Sequence, residues 1–264
     1  MTDTRVTDDL IHALDIGNSS AKFGAVRLSD PANVTHTQSL FADDDGFANV
    51  RSTAMLEPNK TPWFVASVCR PMRDKFVSWL SAEFPCAPIH HLQNDDCPIT
   101  IDVEFPNQVG IDRILGAVAA NEFRTHGQPA IVVDAGSAIT VDAISADGVF
   151  LGGVIMAGFA MRTKSLATST DLLPLIHATG ADESPSVIGR STESAIRSGI
   201  FWGTIGSIRE IIDRVQTEIG NAQVFVTGGD MVRMTNHLKD DARFIPNLVL
   251  TGIAITAKSL GDQS

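Results

Sequence analysis

The sequence predicts an α/β protein whose two halves repeat one plan. Two stretches carry that reading. His12-Ala13-Leu14-Asp15-Ile16-Gly17-Asn18-Ser19-Ser20-Ala21-Lys22-Phe23-Gly24-Ala25-Val26 and Ile131-Val132-Val133-Asp134-Ala135-Gly136-Ser137-Ala138-Ile139-Thr140-Val141-Asp142-Ala143-Ile144 each read as strand, Asp-x-Gly-hydroxyl turn, strand. A third observation is that strand-like runs alternate with segments of helical periodicity in each half, the pattern of mixed α/β domains. A chain of 264 residues accommodates one large domain or two of about 130 residues.

In the first half, Leu10 to Ile16, Lys22 to Leu28 and Asn33 to Phe41 predict an antiparallel meander. Asp43-Asp44-Asp45-Gly46 predicts the start of a helix running to about Leu56, with acids at its positive end; a solvated helix start explains this triplet better than a metal cluster. Pro62 to Val68 reads as a buried strand. Pro71 to Phe84 reads as a helix opened by proline, with Phe76, Val77 and Leu80 inward, and Ala87 to Leu92 as another strand. Ile111, Leu115, Val118 and Ala119 recur at helical spacing after Gly110. Asp112 complements the dipole of that helix, but Arg113 in the same turn opposes it, which points Arg113 at an anion.

The second half predicts strands Ala130 to Asp134, Ile139 to Ile144 and Val149 to Met156, then a helix from Gly158 to about Ser169. Ser191 or Thr192 caps a long helix reaching Glu218. On it Ala195, Gly199, Gly203 and Gly206 step three or four residues apart, a face suited to close packing against another helix. Gln223 to Thr227 reads as a strand ending in Gly228-Gly229-Asp230, followed by a short helix, a short strand (Arg243 to Ile245) and a last helix from Leu248 to Leu260.

Composition narrows the function. The hydrophobic fraction of 44% supports a sizeable core, and the net charge of -11 with no Lys/Arg-rich run argues against nucleic acid. No apolar run reaches the roughly 20 residues of a membrane span, and the polar, acidic start is unlike a secretory signal, so a cytoplasmic location and no membrane partner are expected. Cys69, Cys86 and Cys97 form no Cys-x-x-Cys, and Cys86, His90, His91 and Cys97 fit no familiar zinc spacing. Glycine lets backbone approach a ligand closely, and turn amides and hydroxyls can hold phosphate oxygens. A carboxylate beside a polyphosphate must act through a cation, which is the role Asp15 and Asp134 suggest. Asp142 lies in a strand, where approach to the metal is one reading and a solvent-facing position the simpler expectation.

The ordered pair of turns, with Thr227-Gly228-Gly229 downstream, resembles the actin-like ATPase and sugar-kinase superfamily. The resemblance narrows to the type III pantothenate kinases over nearly the whole chain. It rests on Asp15-Ile16-Gly17-Asn18-Ser19-Ser20-Ala21-Lys22, Gly110-Ile111-Asp112-Arg113, Asp134-Ala135-Gly136-Ser137-Ala138-Ile139-Thr140, Gly152-Gly153-Val154-Ile155-Met156-Ala157-Gly158, and Gly189-Arg190-Ser191-Thr192-Glu193. It implies two related ribonuclease H-like (actin-like ATPase) domains with a nucleotide cleft between them: residues 1–122 and residues 123–264, the last helix packing back on the first.

The resemblance also implies roles. Asp15, Ile16, Gly17, Asn18, Ser19, Ser20, Ala21 and Lys22 would form the ATP phosphate loop, Asp15 acting on Mg2+ through water and Lys22 supplying charge. Asp112 would be the base acting on the pantothenate primary hydroxyl. Val103, Gly110, Ile111 and Arg113 would line the pantothenate pocket, with Arg113 on the carboxylate. Asp134 would hold K+ or NH4+, and Ser137 would contact ATP. Thr192 would reach pantothenate across a homodimer interface. The chain departs from the family pattern at Ser19 and Ser137, where Thr is usual, at Ala157 for Pro, and at Val103, where many members carry Tyr. This chain has no Tyr at all, and Phe105 is the candidate to supply the missing contact.

With an ordinary carboxylate pKa of about 3.9, Asp112 would mainly orient the hydroxyl and take its proton late. Two other classes share the fold: a non-catalytic accessory protein, and an actin-like ATPase working as a conformational machine. Intact Asp15, Lys22, Asp112 and Asp134 oppose the first, and the short chain opposes the second. A kinase for another small hydroxyl substrate is the nearer alternative, because of Val103.

Overall fold

The structure, a computed structural model, describes residues 9–40, 60–176, 184–238 and 242–262. The helix expected between Asp43 and Leu56 lies outside them. The chain divides into two compact units, one of residues up to Glu122 together with those from Asn247 onward, the other Phe123–Pro246.

In the first unit, β1 (Leu10–Ile16), β2 (Ala21–Arg27) and β3 (Asp30–Leu40) form the antiparallel meander, and β4 (Trp63–Ser67) and β5 (Ile89–His91) extend the sheet from β1 in parallel. The spatial order is β3-β2-β1-β4-β5. The second unit repeats it: β6 (Ala130–Ala135), β7 (Ala138–Ile144) and β8 (Phe150–Ala157) form the meander, and β9 (Gln223–Thr227) and β10 (Arg243–Phe244) add in parallel, giving β10-β9-β6-β7-β8. The two sheets therefore share one topology, although their sequences share little beyond the hairpin motif.

Period-two alternation divides each sheet into faces. In the first unit, Leu14, Ile16, Phe23, Trp63 and Val65 pack with Phe76 and Leu80 of helix α1 (Arg70–Glu83). Val77 is only half-buried; Met72 and Trp79 complete the inward face instead. Two further helices belong to this unit, α2 (Ile111–Phe123) and, from the far end of the chain, α5 (Leu248–Asp262). Gly252 of α5 approaches so closely that a Cβ there would run into the Leu115 carbonyl of α2. That contact locks α2 against the helix that packs on β1 to β4. In the second unit, Ile131, Val133, Ile139, Val141, Val224 and Val226 meet Phe201, Ile205, Ile208 and Ile212 of α4 (Thr192–Ile219). Helix α3 (Phe159–Ser169) follows β8 directly.

Asp142 is buried, at 1% exposure, contrary to the solvent-facing expectation. It stands opposite Gly153 of β8, where a Cβ would run into the Val141 carbonyl and lie 2.7 Å from Asp142 Oδ1. The glycine in the Gly152-Gly153 pair makes the close strand approach that encloses this carboxyl.

His12 is also buried, its ring tilted against Trp63 (centroids 4.4 Å apart) and Phe23 (5.4 Å), and its Nδ1 has no protein partner among the described residues. Burial alone lowers its pKa from 6.5 to about 4. The unfolded chain therefore binds a proton that the folded chain excludes, and stability falls as pH drops from about 6.5 to about 4. His12→Leu should flatten that part of the stability-pH curve, by about 3 kcal/mol across the window. Denaturant titrations of both proteins from pH 7 to 4 check this; parallel curves would contradict it.

Candidate active site

Both Asp-x-Gly hairpins sit at the carboxyl ends of parallel strands, where open α/β sheets bind their ligands. In the first unit, β1 ends at Ile16, which pairs with Ala21, and Gly17 to Ser20 form the turn. The turn is closed by Gly17 N–H donating to the Ser20 carbonyl at 3.0 Å. The Ser20 carbonyl oxygen would lie 3.1 Å from a Cβ at Gly17, so the turn is tight at that position. Asp15 stands directly opposite Lys22, which puts the two side chains on one face of the hairpin. Asn18 and Ser19 are exposed, while Asp15, Ser20 and Lys22 are half-buried and Ile16 and Ala21 are core.

The neighbouring strand end carries the rest. Val68 N–H donates to the Ile16 carbonyl at 3.0 Å, so the end of β4 lies beside the turn. The Ser67 hydroxyl then bridges the Cys69 carbonyl and N–H, both at 3.1 Å, where α1 starts. A Cβ at Gly110 would be 3.5 Å from Val68 Cγ1, which puts the start of α2 at the same sheet edge. The first-unit turn, the β4 end and Gly110-Ile111-Asp112-Arg113 thus converge.

Asp112 folds its carboxylate back over the helix start. Oδ1 accepts from Arg113 N–H at 2.9 Å, and a Cβ at Gly110 would stand 2.5 Å from the same oxygen. Desolvation raises the Asp112 pKa above the ordinary value, and the backbone bond from Arg113 and its positive charge oppose the rise without cancelling it. A carboxylate so placed is a stronger base than the ordinary one. Ile111 is buried, and Arg113 and Val103 are half-buried. Arg113 N–H is shared with the Gly110 carbonyl at 3.1 Å.

In the second unit, Gly136 N–H closes the hairpin on the Ala138 carbonyl at 2.9 Å. Two glycines press on it. A Cβ at Gly158, the residue before α3, would run into the Gly136 and Ser137 carbonyls, and Gly158 N–H donates to the latter at 3.2 Å. Gly228, at φ +97°, would place a Cβ against the Ala135 carbonyl and 2.5 Å from Asp134 Oδ1. Asp134 pairs with Thr140 on one side and Thr227 on the other, so one carboxylate and two hydroxyls share a face. Where the first hairpin sets Lys22 opposite its Asp, the second sets Thr140.

Thr192 opens α4 but does not cap it. Ser191 is the cap: Ser194 N–H donates to the Ser191 hydroxyl at 3.2 Å, and Ser191 N–H donates to the Ser194 hydroxyl at 2.9 Å. Thr192 is left exposed. Gly199, Gly203 and Gly206 are exposed with open space beside them, so among the described residues no helix packs closely on this face. Among the described residues no group of three or more His, Cys, Asp or Glu could hold a metal, and burial pushes the Cys97 thiol up to about 11. Among the described residues no helix is long and apolar enough to cross a membrane.

Two units of one sheet topology, each with a glycine-tight acidic hairpin at the carboxyl ends of its parallel strands, have the α/β fold of the actin-like ATPase and sugar-kinase class. Solved structures with this fold include a conserved putative Baf family transcriptional activator from Campylobacter jejuni (TM-score 0.62, 21% identity, covering 96% of this chain and 100% of that one). MreB 5 of Spiroplasma citri bound to AMPPNP is another (TM-score 0.52, 10% identity, 97% and 98%).

The sequence comparisons are narrower. The type III pantothenate kinase family matches residues 11–214. A type III pantothenate kinase of Persephonella marina is 30% identical over 254 residues, 92% of this chain and 96% of its own length. That of Rhodopirellula baltica is 43% identical over 169 residues, 63% of this chain and 60% of its own length. The chain belongs to the type III pantothenate kinase family. Its activity is ATP-dependent phosphorylation of pantothenate, a reaction of coenzyme A biosynthesis.

The seating of Asp112 gives two expectations. Gly110→Ala should displace the carboxylate and lower kcat at least tenfold while the protein still folds; unchanged kcat in folded Gly110→Ala would contradict the seating. Because the folded-state pKa of Asp112 is raised, its ionisation opposes folding at neutral pH. Asp112→Asn should therefore raise Tm at pH 7, and the gain should vanish as pH falls below the ordinary carboxylate value. A thermal melt series across that range checks this; a lower Tm at pH 7 would contradict it.

Proposed function

We propose that the first-unit edge is the catalytic face, with Asp112 as the base for the pantothenate primary hydroxyl; the carboxylate seated against Gly110 beside the Asp15–Lys22 hairpin carries this reading. In phosphoryl transfer the transition state is loose, so the rate comes mostly from alignment and charge stabilisation. Asp112 accepts a hydrogen bond from the hydroxyl and aligns its oxygen with the γ-phosphorus. As the new O–P bond forms and the bond to the β-phosphate oxygen breaks, the proton passes to Asp112. Its raised pKa makes that transfer easier than for an ordinary carboxylate. Gly110, Ile111 and Val103 bound the acceptor pocket, and Arg113 faces the pantothenate carboxylate.

ATP lies with its phosphates on Asp15 to Lys22 of the first unit. Glycine turn backbone admits phosphate oxygens, and Lys22 adds charge where an acidic chain has little. The donor set fits Mg2+, which takes one or two carboxylates and completes its shell with phosphates and water; Asp15 is that carboxylate. When bound, the ion neutralises phosphate charge. Asp134, with the Thr140 and Thr227 hydroxyls on its face, offers hard oxygens for a monovalent cation, K+ or NH4+.

A homodimer completes the account. Thr192 is exposed and has no capping duty, and the open Gly199-Gly203-Gly206 face of the same helix suits a second copy. The protein acts in the cytoplasm. Val103 keeps a kinase for another hydroxyl substrate as the second reading.

The test is ADP release with ATP, Mg2+ and K+, with and without pantothenate, and product mass. Pantothenate-dependent ADP with phosphopantothenate is expected, with activity lost on replacing K+ by Na+ and turnover down at least a thousandfold in Asp112→Asn. ADP release indifferent to pantothenate, or wild-type turnover in Asp112→Asn, would contradict the proposal. If Thr192 acts across the interface, co-expressed Asp112→Asn and Thr192→Ala chains should regain roughly a quarter of wild-type activity, since half the dimers are mixed and one of their two sites is intact. No recovery between two chains each inactive alone would place Thr192 in the site of its own chain, and an active Thr192→Ala protein would place it outside the site.

A further inference from the structure

The segment leading into Gly110 is held by a side chain that neither the motifs nor the proposed roles include. Asn94 Nδ2 donates to two backbone carbonyls, Pro106 at 2.9 Å and Val109 at 3.0 Å. These carbonyls bracket the single 3-10 turn Pro106–Gln108. An amide nitrogen has two hydrogens, so both are used and the turn is gripped at each end.

The platform that carries Asn94 is itself fixed. Asn94 opens the one-turn helix Asn94–Asp96, which a reciprocal pair closes: Gln93 N–H donates to Asp96 Oδ2 at 2.7 Å, and Asp96 N–H to the Gln93 carbonyl at 3.1 Å. Cys97 N–H donates to the Asn94 carbonyl at 3.2 Å, and the Cys97 side chain is buried. The clamped turn carries Phe105 at its start, 55% exposed, and ends at Val109, whose carbonyl directly precedes Gly110. The same grip therefore sets the entry of the chain into α2, on which the Asp112 carboxylate depends, and the backbone position of Phe105, an exposed aromatic residue.

We infer that Asn94 is a positioning residue for the acceptor side of the reaction: it holds the Phe105–Val109 turn so that Phe105 and Asp112 keep a fixed relation to the bound hydroxyl substrate. The inference rests on the proposed role of Asp112. The ligand to which it applies is the small hydroxy acid, not the nucleotide, because the clamped turn leads into α2 and not into the Asp15–Lys22 hairpin. Loss of the clamp frees the turn without removing any group that touches ATP.

The experiment compares steady-state kinetics and melting of wild type, Asn94→Asp and Asn94→Ala, with Asn94→Gln as rescue and Asp112→Asn as reference. Asn94→Asp keeps the shape and removes both donors, and Asn94→Ala removes the arm without adding charge. Both should raise the pantothenate KM about tenfold and lower kcat severalfold, with the ATP KM within twofold of wild type. That size corresponds to a loss of about 1.4 kcal/mol in acceptor binding. Asn94→Gln, with two donors on a longer arm, should recover part of the loss. Unchanged pantothenate kinetics in a folded Asn94→Ala protein would overturn the inference, as would pantothenate and ATP constants shifting together with a fall in Tm, the mark of a merely structural residue. Wild-type turnover in Asp112→Asn would instead overturn the proposed base and leave the Asn94 measurements to be read independently.

Discussion

The site depends on one local balance: a carboxylate seated over a helix start in a partly desolvated place. Burial disfavours the charge on Asp112, and the Arg113 N–H and the positive end of α2 favour it. The pKa rises because desolvation is the larger effect. That balance needs space, which Gly110 provides by lacking the Cβ that would stand 2.5 Å from Oδ1. It also needs α2 to be immobile, and Gly252 serves this by letting α5 reach the backbone of α2 at Leu115. The Gly-x-Asp-Arg pattern is thus one packing unit: the glycine makes room, the aspartate fills it, and the next amide holds it.

One sheet topology occurs twice, and the differences between its copies suggest different tasks. Each hairpin ends a strand in Asp-x-Gly. Across from the Asp, the first has Lys22 and the second Thr140. In the proposed roles the first would meet the phosphates and the second a bare cation. The second hairpin is also more enclosed, with Gly158 and Gly228 pressed on its backbone.

Much of the fold was legible because its signals are local. Alternation over Leu10 to Ile16 and over Ile139 to Ile144 marks strands, Gly17 and Gly136 mark the turns, and Pro71 and Ser191 mark helix starts. What was hidden depends on partners distant in sequence. The burial of Asp142 requires Gly153 on the neighbouring strand, and a polar residue inside an alternating run gives no sign of that. The choice of Ser191 over Thr192 as the cap turns on Ser194, which closes a reciprocal pair with serine where glutamate is the usual signal. Trp79 joins the core cluster of α1 while Val77, equally half-buried, does not, because helical spacing leaves both near the edge of the inner face. For the site, the motif residues were visible as a set, but Asn94 was not. Its grip on Pro106 and Val109 joins a side chain to backbone 12 and 15 residues away, and no composition or period records such a bond.

The central claim is that Asp112 is a carboxylate with a raised pKa, made so by its seat at Gly110. Carboxyl-carbon NMR of aspartate-labelled protein, titrated from pH 7 downward, measures this directly, with the Asp112 resonance assigned by its loss in Asp112→Asn. The account predicts a midpoint above the ordinary Asp value of about 3.9 in wild type, moving back toward that value in Gly110→Ala as the carboxylate is pushed out toward water. A wild-type midpoint at or below the ordinary value would contradict it, and with it the mechanism in which Asp112 takes the proton.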